Sequence, residues 1–212
     1  MRNYTADDIE QLFAQYEQHY QFIIVAHTHY RPYSVCRNSG YLKHTDANTW
    51  LQAKQKQTSS DLRYALNCFN RLLYPNATNA CKRKPLLYRP LTFVTIEGAK
   101  QTTDRQQTIH VNIAIGNLPS VLNRSDVETL FRHAWHEKAK QGNDIEVLDY
   151  YKAKNNGGWE SYSVKEARKD PSRAWNDSSI FDVENCWVPH NAINVDWSCV
   201  DTWVLWMLWL GP

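Results

Sequence analysis

The chain predicts a single α+β domain, a mixed or antiparallel central sheet with flanking helices, and three observations carry that expectation. Residues 108–117, TIHVNIAIGN, alternate strictly, with Ile109, Val111, Ile113 and Ile115 on one face of an extended strand and His110, Asn112 and Ala114 on the other. Apolar stripes at helical spacing flank this strand in sequence, one through Leu62, Ala65, Leu66 and Phe69 and another through Val127, Leu130, Phe131 and Ala134. Helical and extended periods then alternate along the chain around one hairpin.

Composition narrows the function classes. At 212 residues, with 42% hydrophobic and 22% charged residues, the chain can bury one substantial core, expected as a single domain over residues 1–212. A formal net charge of +2 excludes a uniformly basic nucleic-acid binder and leaves that work to a local basic face. The five cysteines are scattered without a CxxC pair, which reads as reduced thiols and argues against a disulfide scaffold or a zinc finger. Residues 1–13 are polar and acidic, with no apolar leader, so a cytoplasmic location is expected. The apolar stretch from Trp203 to Leu210, in a Trp-rich segment at 197–212, is too short to span a bilayer. It is expected to be a buried terminal element, or else a contact for a protein partner or a second copy, with no membrane involved.

The elements follow in order. Thr5 and Asp8 precede an amphipathic stripe through Ile9, Leu12, Phe13 and Tyr16, a first helix. Residues 21–27, QFIIVAH, read as a buried strand ending at His27-Thr28-His29. Residues 30–58 read as loops and short turns, and Ser59-Ser60 as the cap of a helix that ends before Pro75. Residues 91–97 form the first strand of a hairpin with a polar loop at 99–107, and residues 109–115 the second. Ser125 with Glu128 reads as a capping box for the next helix, residues 145–151 as a fourth strand, and residues 159–169 as a helix that stops before Pro171.

Two groups on these elements carry chemistry. Glu97 ends one hairpin strand where His110 and Asn112 begin its partner, so a carboxylate, an imidazole and an amide oxygen meet at one end of the pair. This donor set suits Mg²⁺ or Mn²⁺ better than a thiolate-seeking metal. The alternative is a polar strand face turned to water. Tyr162 and Lys165, three residues apart on a helix, set a phenol beside an ammonium, a pairing suited to attack on a metal-polarised phosphodiester. His27 and His29 form a second His-x-His, the competing candidate for the metal or for a DNA contact, whereas His133 and His136 read as a solvated helix face. Arg31, Lys82, Arg83 and Lys84 are candidate phosphate contacts, and Trp159 a candidate platform for base stacking.

These motifs, in this order, resemble the HUH endonucleases, the rolling-circle replication initiators with their relaxase and transposase relatives. The matches are His110-Val111-Asn112 on the strand after a hairpin, Glu97 on the preceding strand, and Tyr162-Ser163-Val164-Lys165 on the later helix, with residues 22–27 in place of the family's first strand. The resemblance covers about residues 20–190 and implies a ferredoxin- or RRM-like β, α, β, β, α, β, α core. It departs from the family at Asn112, where most members carry a second His and some viral members Gln. It implies a metal-dependent single-stranded DNA nickase and ligase of the single-tyrosine type. Tyr162 would form a 5′-phosphotyrosine, Lys165 would assist, and Glu97, His110 and Asn112 would hold Mg²⁺ or Mn²⁺. Rolling-circle replication is the expected setting. A relaxase or transposase role, or a DNA-binding module of the same fold without the chemistry, stays open, and no Walker sequence accompanies the domain.

Overall fold

Four strands hydrogen-bond in the order β2-β5-β1-β6, and every pairing is antiparallel, so of the two expected sheet types only the antiparallel one is present. The computed structural model describes residues 6–31, 36, 47–75, 79–98, 101–102, 105–106, 109–151, 158–159, 164 and 181–187. Along the chain these form α1 (Ala6–Gln15), β1 (Tyr20–His27), α2 (Ala47–Leu73), α3 (Ala80–Arg83), α4 (Pro85–Tyr88), β2 (Leu91–Glu97), β3 (Gln101–Thr102), β4 (Arg105–Gln106), β5 (His110–Gly116), α5 (Arg124–Arg132) and β6 (Ile145–Asp149). A π-helical turn, His133–Lys138, extends α5. Long helices thus connect β1 to β2 and β5 to β6, while β2 and β5 form the hairpin.

The strand alternation sorts the core into two layers. Val94 and Ile96 of β2, Val111, Ile113 and Ile115 of β5, and Ile24 and Ala26 of β1 share one face, and all seven are buried. α2 and α5 cover it: Asn185 donates to the Ser59 carbonyl of α2 at 2.8 Å, while Thr92 of this face donates to the Asn185 carbonyl at 2.7 Å. Phe69 of α2 meets Phe131 of α5 edge-on at 5.8 Å. The opposite face begins with Phe93, against which Phe13 and Tyr16 pack at 4.5 and 5.1 Å. An irregularity between Tyr20 and Phe22 in β1 lets Tyr20 join this aromatic layer, 6.2 Å from Phe93, while Phe22 stays opposite Ile115.

Several boundaries differ from the pattern reading. α2 starts at Ala47, twelve residues before the expected cap, because burial of Trp50, Gln55 and Thr58 continues its inner face through the polar stretch. Ser59 is therefore interior to the helix, and its hydroxyl donates to Asp182 at 2.9 Å. α5 is capped two residues earlier than expected, with Asn123 accepting from Ser125 and Asp126 and Asp126 answering in a capping box. The hairpin loop carries the short β3–β4 pair, Gln101 opposite Gln106. The expected helix over 159–169 and the stretch from Trp203 to Leu210 lie largely or wholly outside the described residues.

Candidate metal centre

The site is assembled by strand register. β2 ends at Glu97, and Gly98 follows with φ of 125°, a conformation that suits glycine. A Cβ at Gly98 would fall 2.7 Å from the Ile109 Cα, so the two ends of the hairpin loop can approach this closely only without a side chain there. The turn returns as β5, which places Glu97 directly opposite His110, and His110 opposite His27 of β1. One rung of the sheet thus reads Glu97, His110, His27, and two residues further in the next rung of the same face reads Thr95, Asn112, Val25.

The side chains converge on one carboxylate oxygen. Glu97 Oε2 lies 3.1 Å from His110 Nε2 and accepts from Asn112 Nδ2 at 3.1 Å. Glu97 and Asn112 are fully buried and His110 is 5% exposed, so the reading of this face as turned to water does not hold. A buried carboxylate persists only with such partners, because removing it from water otherwise costs several kcal/mol. His27 stacks on the His110 ring at 5.0 Å with 27° between the planes, and its outer edge lies 3.7 Å from Asp144. The site therefore has a buried wall at Glu97 and Asn112 and a half-exposed rim at His27.

The donor set fits a hard divalent ion. A carboxylate can only accept, so Asn112 must turn its NH₂ toward Glu97 and its oxygen away. That oxygen, Oδ1, is buried and has no hydrogen-bond partner among the described residues. A cation with ligands Glu97, His110 and the Asn112 oxygen would give it one. Among the described residues no group of three or more His, Cys, Asp or Glu is arranged to hold a metal.

The remaining candidates are dispersed. His29 faces the helical layer, its Nδ1 3.1 Å from Gln141 Oε1, and Gln141 in turn donates to Asp61 of α2. Arg31 is exposed. Lys82, Arg83 and Lys84 are exposed in and after α3, in the segment that enters β2 at Leu91. Six residue steps along β2 separate Leu91 from Glu97, about 20 Å. Trp159 is 4% exposed and packs edge-on against Phe13 at 5.3 Å, so its indole belongs to the core and does not offer a face for base stacking. His133 and His136 are a surface pair as expected, held by Glu137 at 2.6 Å and by the Gln141 carbonyl at 2.7 Å. Tyr162 and Lys165 lie outside the described residues. Thr95 escaped notice in the sequence although its alternation in TFVTIE places it on the face of Glu97; a threonine in a strand carries no chemical signal of its own.

Among the described residues no helix is long and apolar enough to cross a membrane. No protein-family model matches the chain, and neither does any curated protein or solved structure.

Proposed function

We propose that the chain is a metal-dependent nickase and ligase of single-stranded DNA, with Tyr162 as nucleophile and a Mg²⁺ or Mn²⁺ site at Glu97, His110 and Asn112. The observation that carries this reading is the buried convergence of those three side chains from a hairpin, with one amide oxygen left to accept. The strand order β2-β5-β1-β6, with helical connections after β1 and β5, supports the ferredoxin-like core that the reading requires. Trp159 and Val164 are both buried, and Trp159 packs on Phe13, which packs on Phe93 of the face that bears Glu97.

Glu97, His110 and Asn112 would hold the ion, which when bound would supply electrostatic stabilisation of charge on the phosphate oxygens. The chain's own part is transesterification. The Tyr162 oxygen attacks phosphorus, an O–P ester forms to the 5′ side, the P–O3′ bond breaks, and the phenolic proton balances the released 3′-hydroxyl. Lys165 would meet the phosphate charge. Because one phosphoester replaces another, the 3′-hydroxyl can reverse the cut. His27, half-exposed at the rim, is the described residue of the site best disposed to meet the DNA. Replication, transfer and transposition all use this chemistry, and initiation of rolling-circle replication suits the single aligned tyrosine.

The test is incubation with labelled single-stranded DNA pools and Mn²⁺ or Mg²⁺, followed by a denaturing protein gel. A labelled adduct that disappears with chelator, with Tyr162→Phe and with His110→Ala is expected. A second reading, a DNA-binding module without the chemistry, draws on Asn112, an amide whose NH₂ donates to Glu97 where the resembled family most often has a second His. DNA binding with no adduct under any metal would select it.

A further inference from the structure

We infer that Thr95 belongs to the ion-holding set, as a positioning residue whose hydroxyl holds a water of the ion's shell between itself and Asn112. The inference rests on the metal-site reading above and adds a fourth side chain to it. Thr95 and Asn112 are directly opposed across β2 and β5, and both are fully buried. Side chains opposed in this way carry Cβ atoms about 5 Å apart. Yet Thr95 Oγ1 and Asn112 Oδ1 each have no hydrogen-bond partner among the described residues, so they do not satisfy one another. Two adjacent buried polar atoms without partners point to something between or above them.

The neighbouring rungs say on which side it lies. Beneath Thr95 and Asn112 the same face continues as Phe93, Ala114 and Ile23, all buried and apolar, and Phe181 stacks on Phe93 at 6.0 Å. Beside Asn112 stands Val25. Above them stands the rung of Glu97 and His110. Among the described strand residues of this face, the polar side chains next to Thr95 and Asn112 are therefore those of the ion site, Glu97 and His110. A hydroxyl, unlike a second carboxylate, adds an oxygen without adding charge, which suits an ion that keeps water in its shell, as Mg²⁺ and Mn²⁺ do.

The test uses the full chain and Mn²⁺ alone, without DNA, with binding followed by electron paramagnetic resonance of the free ion. Thr95→Val keeps the shape and removes the hydroxyl. It is expected to weaken Mn²⁺ binding roughly tenfold or more, the range seen when groups behind metal ligands are lost. Thr95→Ser is expected to restore it. Thermal unfolding of the metal-free proteins is expected to show Thr95→Val at least as stable as the wild type, which separates lost ligation from lost folding. Equal Mn²⁺ affinity in wild type and Thr95→Val overturns the role of Thr95 and leaves the three-residue site standing. A wild-type chain that takes up no Mn²⁺ overturns the site itself and this inference with it.

Discussion

The two faces of the β2–β5 pair share one backbone and the same burial and differ in chemistry. One presents Val94, Ile96, Val111, Ile113 and Ile115, all buried under α2 and α5 with no polar group among them. The other presents Thr95, Glu97, His110 and Asn112, equally buried. The first face is what folding requires: each aliphatic side chain contributes about 1.5–3 kcal/mol by leaving water. The second works against folding, since a buried polar atom with no partner costs about 1–3 kcal/mol. On this face Glu97, His110 and Asn112 bond one another, while Thr95 Oγ1 and Asn112 Oδ1 have no partner among the described residues, an arrangement that stability alone does not account for.

The buried polar groups near the helical layer sharpen the contrast. Asp182 accepts from Ser59 at 2.9 Å and from Asn185 at 2.5 Å, so the segment at 181–187 is pegged to α2 with its polar atoms satisfied. Along the edge of β2 the same segment closes backbone bonds at Asp182 to Val94 and at Trp187 to Thr92. Glu97 and Asn112 meet one another, but the Asn112 oxygen and the Thr95 hydroxyl do not find partners among the described residues. One polar group is paired within the protein; the other keeps two buried oxygens, Thr95 Oγ1 and Asn112 Oδ1, without partners among the described residues.

Ile113→Ala would test the contrast most severely. Truncation in the aliphatic face is expected to lower unfolding stability by about 2–5 kcal/mol, measured by urea titration, without altering Mn²⁺ affinity in the folded protein. A comparable loss from Thr95→Val, which removes a polar atom from the other face and keeps its volume, would erase the distinction between the faces.

Asp182→Ala is expected to cost about 1–3 kcal/mol, because it strands the Ser59 and Asn185 donors. Its effect carries a pH signature. Burial raises the Asp182 carboxyl above its ordinary value, although its hydrogen bonds from Asn185 and Ser59 oppose that shift. The folded state then holds the proton more tightly than the unfolded one. The stability this contributes is fully present below the ordinary value of 3.8 and is lost as the pH rises through the raised one. The gap between wild type and Asp182→Ala should be widest in acid and narrow toward neutral pH, and a gap that widens instead would reverse the sign of the shift.

Glu97→Gln separates the two faces by function. It keeps the volume and removes the charge, so metal-free stability is expected to change by less than about 1.5 kcal/mol, while the rise in melting temperature produced by Mn²⁺ disappears. Persistence of that rise would place the ion elsewhere. Replacing Lys82, Arg83 and Lys84 together by Ala should have the smallest effect, within about 0.5 kcal/mol on stability, and none on Mn²⁺ affinity, because these exposed residues enter β2 at its far end. Loss of DNA binding in that variant, read by fluorescence anisotropy, would show that the bound strand reaches about 20 Å along the domain.

Much of this was legible in the residues themselves. Strict alternation at 109–115 assigned both faces of β5, and the position of Glu97 just before Gly98 put it at the hairpin end opposite His110. Local periodicity does this reliably because the side-chain period of a strand is two, so one apolar face determines what the other holds. Reach across the chain was not legible in the same way. Nothing local assigns His27 to the ring of His110, starts α2 at Ala47 through a polar stretch, or sends the Trp159 indole into the core.

The sequence alone determined the α+β class, the strand carrying His110 and Asn112 and the amphipathic helices, because these follow from periodicity and hydrophobicity within a few residues. Only the tertiary structure decided that the polar face is buried, that Thr95 stands beside Asn112 and that His27 closes the rung. Burial and contact depend on which distant elements cover a face, and that is set by register and packing across the whole chain.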